Sequence, residues 1–240
     1  MITFEQVTDY ICTFDPDFRH SIVPALDAEI DELESLRNAP LPAIYRDFLE
    51  TMGRSMGWIN VRDIDFGIDT VLDVYRASPW LQTTDLVRIG TDRRDPSFHP
   101  YLRPSAFSDT VEVLAIRECD ADSFPQTAYN GGRFQIAGSL PEMVCLPAFE
   151  MYEIYGPGRR PAKLQATEWR PEAVNEAATI LTDAGFQPLF WSSPESRGFK
   201  RDDAAVQISQ WRGFPLLAAV RADDPDQQAK IAQALSVRLA

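Results

Sequence analysis

Residues 30–60 read IDELESLRNAPLPAIYRDFLETMGRSMGWIN, and the spacing of their apolar residues decides the fold. We predict two amphipathic helices here, separated by Pro40-Leu41-Pro42. The apolar faces consist of Leu26, Ile30, Leu33 and Leu36 in the first helix, and of Ile44, Tyr45, Phe48, Leu49 and Met52 in the second. Pro42 suits the first turn of a helix. Gly53 stands where a left-handed residue would end it.

The same stretch carries a family resemblance. Ile30-x2-Leu33-Glu34, then Leu41-Pro42-x2-Tyr45-x2-Phe48-Leu49 and the following glycines, resembles the opening of the SUKH superfamily. The resemblance covers residues 30–60 and, less closely, residues 1–155. It implies an α+β domain similar to the yeast cell-wall-assembly regulators and to bacterial immunity proteins that neutralise secreted polymorphic toxins. Residues 52–57 depart from it, because MGRSMG replaces the usual Asn-Gly-Gly.

The flanking sequence predicts N-terminal helices packed on a mostly antiparallel sheet, with a closing helix. Thr3 and Gln6 form a capping box for a helix over residues 3–14, and a second box, Ser139 with Glu142, opens a helix that stops near Pro147. Predicted strands are Trp58–Val61, Asp63–Phe66, Leu86–Ile89, Val111–Ile116 and Arg133–Ile136, the last after an Asn130-Gly131-Gly132 turn. Residues 70–76 fit a helix or a strand, and residues 92–108 are predicted to be a loop.

A second, smaller unit is predicted after the linker Tyr155–Pro161. We place the SUKH-like domain at residues 1–157 and a C-terminal α-β-β-β-α unit at residues 158–240. Its elements are a helix from Pro171 to Gly185, strands at 188–191, 204–211 and 214–220, and a final helix capped by Asp224.

The charge of the chain is negative and uneven. The formal net charge is −13, and residues 1–75 hold fifteen Asp and Glu against five Arg. Such a surface repels phosphate backbones, which argues against nucleic-acid binding, and attracts a basic protein. We therefore expect a protein partner, a basic toxin domain, to bind at Asp63, Asp65, Asp69, Asp73, Asp31, Glu32 and Trp80. Glu34 is a further candidate, but it belongs to the fold motif. The alternative is that solvated acidic helices serve only solubility.

The location is expected to be the cytoplasm. Cys12, Cys119 and Cys145 are odd in number and far apart, which favours a reducing compartment. The N-terminal residues do not resemble a signal peptide. The apolar runs are much shorter than the ~20 residues that span a bilayer.

We predict no catalytic, cofactor or metal site, although two motifs suggest one. Gly53-Arg54-Ser55-Met56-Gly57 is a literal G-x-S-x-G, and Asp92 or Asp95 with His99 would complete a triad. However, a helix precedes this serine where a nucleophile elbow needs a strand. A small serine hydrolase using Ser55 stays an alternative function, as does a regulatory scaffold.

The second motif is a partial calcium loop. Asp63, Asp65 and Asp69 match its positions one, three and seven, but Gly67, Ile68 and Val74 fail at positions five, six and twelve.

Overall fold

Helices open the chain, and antiparallel sheets follow them. The computed structural model describes residues 2–83, 86–95, 97–104, 111–117, 133–158, 160–170, 172–210 and 214–239. The predicted mixed α+β class with antiparallel sheets is confirmed. The chain divides into two compact units, residues 1–144 and 145–240. None of the helices in the described ranges is both long enough and apolar enough to cross a membrane.

The N-terminal unit is built first from helices. They are α1 (Phe4–Cys12), α2 (Phe18–Ser21), α3 (Asp27–Arg37), α4 (Ala43–Met52), α5 (Ile68–Ala77) and a 3₁₀ helix (Pro79–Thr83). The capping box at α1 is confirmed, since Gln6 N donates to Thr3 Oγ1 at 3.3 Å and Thr3 N donates to Gln6 Oε1 at 3.0 Å. The two helices predicted within residues 30–60 are α3 and α4.

The prediction that Gly53 is left-handed is wrong. Its φ is −66°, and the left-handed residue at a helix end is instead Asn38, after α3. Gly53 is required for space, because a Cβ added there would lie 3.0 Å from the Cβ of Ala25. After α4 the backbone first becomes left-handed at Gly57, where φ is 63°.

Short strands join the helices to a four-stranded sheet. Two antiparallel pairs form, β1 (Ile22–Val23) with β2 (Ser55–Met56) and β3 (Ile64–Asp65) with β5 (Thr91–Asp92). The sheet has the order β4-β6-β7-β8, with β4 at Val87–Arg88, β6 at Phe98–Pro104, β7 at Val111–Arg117 and β8 at Arg133–Ala137. The turn predicted at residues 130–132 lies outside the described residues.

Two predictions in this region are wrong. Residues 58–61 form no strand, because the next residues, Arg62 and Asp63, have φ values of 56° and 58° that break an extended backbone. Residues 98–104 form a central strand rather than a loop. Pro100 is tolerated because its carbonyl accepts from Ile89 N at 3.0 Å, and its missing N–H faces that same side, away from β7.

The closing helix, α6 (Leu140–Phe149), continues through Pro147, contrary to the prediction that it stops there. Pro147 removes one helical hydrogen bond, and the helix persists because Ala148 and Phe149 are fully buried. A π-helix, Glu150–Ile154, follows directly. Tyr155 N closes it by donating to Glu150 O at 2.7 Å.

The C-terminal unit is a five-stranded antiparallel sheet with two helices. Its elements are β9 (Ala162–Gln165), α7 (Ala173–Asp183), β10 (Gln187–Pro188), β11 (Ser196–Arg201), β12 (Ala204–Ser209), β13 (Leu217–Ala222) and α8 (Pro225–Leu239), and the strand order is β10-β11-β12-β13-β9. Residues of α7 and α8 share one buried apolar cluster with Phe199 and Val206. The helices therefore cover one face of this sheet.

Candidate functional site

The exposed acids of α3 and α5 lie side by side because the two helices pack together. Each helix buries an apolar stripe, which includes Ile30 and Leu33 in α3 and Val71 and Tyr75 in α5. The opposite faces remain polar. Four of the predicted residues are on these faces, namely Asp31, Glu32, Asp69 and Asp73, and we call this group the acidic ridge.

Arg76 joins the two helices across the acidic ridge. Its Nε and Nη2 donate to Glu32 Oε1 at 2.9 and 2.7 Å, and its Nη1 donates to Asp73 Oδ1 at 2.9 Å. All three side chains are exposed to solvent, and the side chain of Asp73 keeps 77% of its accessible surface. Such exposed pairs add little stability. Their effect is to hold two carboxylates in a defined position.

A second arginine lies at the other end of the acidic ridge. Arg54 donates to both carboxylate oxygens of Glu29, which lowers the pKa of Glu29. The Asp69 carboxylate lies close to the same glutamate and within electrostatic reach of Arg54. Counting Glu29 with the acidic ridge, this surface carries five carboxylates together with the two guanidiniums of Arg54 and Arg76. Three negative charges therefore remain in excess.

Trp80 borders the acidic ridge. The 3₁₀ helix that carries it packs against both α3 and α5, and the residue is half-buried. Glu34 lies elsewhere on α3, where it accepts from Leu41 N at 2.9 Å and pairs with Arg46 at 2.7 Å. These bonds lower the pKa of Glu34.

Asp63 and Asp65 form a separate group, because arginines from the loop after β5 neutralise them. Arg94 pairs with Asp63, and Arg93 Nη2 donates to Asp65 Oδ2 at 2.6 Å. A hydrogen bond from Asn60, together with the charge of Arg94, lowers the pKa of Asp63. This pairing is long-range in sequence, and no local pattern indicates it. The two acids thus contribute no net charge.

We expect Asp65→Asn to lower the free energy of unfolding by about 1–2 kcal/mol at pH 7. The carboxylate accepts from Gly67 N at 2.9 Å and Thr70 Oγ1 at 3.1 Å, in addition to Arg93. Burial raises the pKa of Asp65, but these bonds outweigh burial and lower it below the ordinary 3.8. The carboxylate therefore stabilises the fold above that value.

The stabilisation by Asp65 is lost as the pH falls through its lowered pKa. Urea unfolding of the wild type and of Asp65→Asn measures this at pH 7 and at about pH 3. The difference between their free energies of unfolding should be smaller at the lower pH. Asp31→Asn is the matched control, because Asp31 is exposed and the change should stay within about 0.5 kcal/mol. If Asp65→Asn lost the same free energy of unfolding at both pH values, the charge of Asp65 would not be the source of the stabilisation.

The residues of the alternative triad lie in different sheets. Ser55 in β2 pairs with Val23, and its Oγ accepts from Gly57 N at 3.1 Å. His99 lies in β6 opposite Ile116 and is largely buried. Asp92 accepts from the backbone of its own loop. The geometry around Ser55 is a helix, a short strand and a left-handed glycine, which is not the strand-turn-helix of a nucleophile elbow.

The residues of the partial calcium loop are likewise engaged elsewhere. Asp63 and Asp65 pair with arginines, and Asp69 lies beside Glu29 within electrostatic reach of Arg54. Across the described ranges, His, Cys, Asp and Glu side chains form no group of three or more that could hold a metal ion.

The structure thus describes an α+β protein whose N-terminal unit carries a two-helix surface with an excess of carboxylates. No family model, no curated protein and no solved structure matches this chain.

Proposed function

We propose that the chain is a protein-binding module that neutralises a secreted polymorphic toxin, and that the acidic ridge is its docking surface. The observation that carries the proposal is the excess of three negative charges on two packed helices. A fixed array of this kind attracts a basic surface and favours fast association. The resemblance of residues 30–60 to SUKH proteins supports the same function.

The inhibition would be steric as well as electrostatic. A basic toxin domain, such as a nuclease, presents its cationic substrate-binding surface to the acidic ridge. Docking there covers the active site without any reaction by the immunity protein. Trp80 borders the acidic ridge and supplies an aromatic contact of the kind that dominates binding energy at interfaces.

Within the predicted residue set, Asp31, Asp69 and Asp73 are the ones we expect to dominate. Each is exposed, and together they outnumber the arginines around them. Arg94 and Arg93 match Asp63 and Asp65 one for one, whereas the acidic ridge has more carboxylates than arginines. A toxin must compete with Arg93 and Arg94 for these two acids, so their contribution to binding is smaller.

The triple variant Asp31→Asn/Asp69→Asn/Asp73→Asn should bind its cognate toxin domain about tenfold more weakly, since each exposed charge contributes about 0.5 kcal/mol. Most of the loss should be a slower association rate, and it should shrink at high salt. Surface plasmon resonance at two ionic strengths measures the association and dissociation rates of the variant and the wild type. Protection of co-expressing cells should fall in parallel.

A variant with the same change in net charge serves as the control. Glu168→Gln/Asp183→Asn/Asp202→Asn alters exposed acids of the C-terminal unit, and we expect its binding to stay within about twofold of the wild type. Equal weakening by both triple variants would show that net charge, not the acidic ridge, controls binding. Binding without protection would favour a regulatory scaffold instead.

A further inference from the structure

The C-terminal sheet has one face that α7 and α8 do not cover. Strand register puts Gln207, Ala219 and Lys163 in one row across β12, β13 and β9. Ser209 and Leu217 lie opposite each other in the next row. This face therefore combines an amide, a hydroxyl and an ammonium group with small and apolar side chains.

The π-helix Glu150–Ile154 lies over part of this face. Glu153 fixes it there, with Oε1 at 2.5 Å from Lys200 Nζ and Oε2 at 3.6 Å from Arg221 Nη1. The π-helical turn also brings Glu150 to Gln207, which hydrogen-bonds its carboxyl. π-helical turns are rare in proteins, and those that occur are often found at functional sites.

A cavity of about 270 Å³ remains between the π-helix and the sheet. Glu150, Tyr155 and Lys163 contribute to its lining together with both rows of the sheet face. Lys163 Nζ lies 5.1 Å from the centroid of the Tyr155 ring. Glu150 and Lys163 influence each other electrostatically, yet among the described ion pairs neither group has a partner. Two opposite charges thus line one cavity without forming a direct ion pair.

We propose that this cavity binds a small zwitterion, an α-amino acid with an apolar side chain. Its ammonium group would meet Glu150, and its carboxylate would meet Lys163. The volume of about 270 Å³ is many times the space that a single water needs, so the cavity has room for a small amino acid. The apolar part of the ligand would contact Leu217, a residue that is 47% exposed.

The electrostatics of the cavity agree with this ligand class. Burial raises the pKa of Glu150, against the opposing effects of the Gln207 hydrogen bond and the Lys163 charge. The charged carboxylate is therefore poorly compensated in the free protein, and a ligand ammonium would compensate it. Because this cavity lies in the C-terminal unit, the proposal does not depend on the proposed toxin-binding function.

Isothermal titration of the full-length chain with L-leucine tests the proposal. Leucinamide lacks the carboxylate and 4-methylpentanoate lacks the ammonium group, so each should bind about tenfold or more weakly than leucine, as expected for the loss of one charge-assisted hydrogen bond. Glu150→Gln and Lys163→Gln should each weaken leucine binding by a similar factor. Glu168→Gln and Lys230→Gln, at exposed positions outside the cavity, should leave it unchanged.

The opposite results would overturn the proposal. They are no leucine binding up to about 10 mM, a concentration that would reveal even a millimolar Kd, equal binding of leucine and its two analogues, or unchanged affinity in the cavity variants. Circular dichroism establishes that each variant folds. If Glu150→Gln does not, Lys163→Gln decides alone, because Lys163 is exposed and its replacement leaves the buried core intact.

Discussion

Phe48→Ala is expected to lower the free energy of unfolding of the N-terminal unit by about 3–5 kcal/mol. Phe48 is fully buried. Its ring meets Phe4 edge-on at 5.2 Å and stacks on Tyr45 at 6.0 Å. The substitution removes both aromatic contacts and leaves a cavity where α4 meets α1, and these effects add to the lost burial of apolar surface.

Hydrogen exchange of the peptides that cover residues 4–52 measures this loss within the N-terminal unit. Glu50→Ala is the control in the same helix, because Glu50 is exposed and its 3.5 Å pair with Arg46 is a surface contact. It should change stability by about 0.5 kcal/mol at most. If exchange in Phe48→Ala matched that in Glu50→Ala, residues 30–60 would not be the centre of the fold.

The helical part of the fold could be predicted because its signals are local. The capping box of Thr3 and Gln6 lies within four residues, and the apolar stripes of α3 and α4 lie within single helices. In contrast, β6 contains Pro100 and Pro104 and becomes a strand only through pairing with β4 and β7. Pairing of this kind depends on partners distant in the sequence, which single-sequence patterns do not identify.

The same distinction applies to the sites. The acids of the acidic ridge could be predicted, since charge and helical spacing are visible in the sequence. Their neutralisation could not, because Arg76 and Glu32 are 44 positions apart and Arg93 and Asp65 are 28 apart. The C-terminal cavity left no signal, because it needs β9 and the π-helix, neither of which the sequence patterns predict.

We expect Gly198→Ala to destabilise the C-terminal unit by about 1–3 kcal/mol or more, since overpacking forces side chains and backbone to shift. A Cβ on Gly198 would lie 2.6 Å from Cζ2 and 2.7 Å from Cη2 of Trp191, and 2.8 Å from Cδ1 of Leu189. Trp191 cannot move outward at low cost, because it is fully buried and packs edge-on against Phe149 at 5.6 Å. Hydrogen exchange of residues 187–209 at increasing denaturant concentration measures the free energy of unfolding of the C-terminal unit.

A double-mutant cycle with Trp191→Phe separates steric conflict from backbone effects. The smaller ring removes atoms that the added methyl group would meet, so Gly198→Ala should cost less in the Trp191→Phe background than in the wild type, with a coupling energy of about 1 kcal/mol or more. Gly158→Ala provides the opposite case: its Cβ would meet nothing within 4 Å, but its φ is 75°. That substitution should cost about 1–2 kcal/mol through backbone strain alone, with no rescue by Trp191→Phe. If the losses of stability in Gly198→Ala and Trp191→Phe were simply additive in the double variant, contact with the indole of Trp191 would not be the reason for a glycine at position 198.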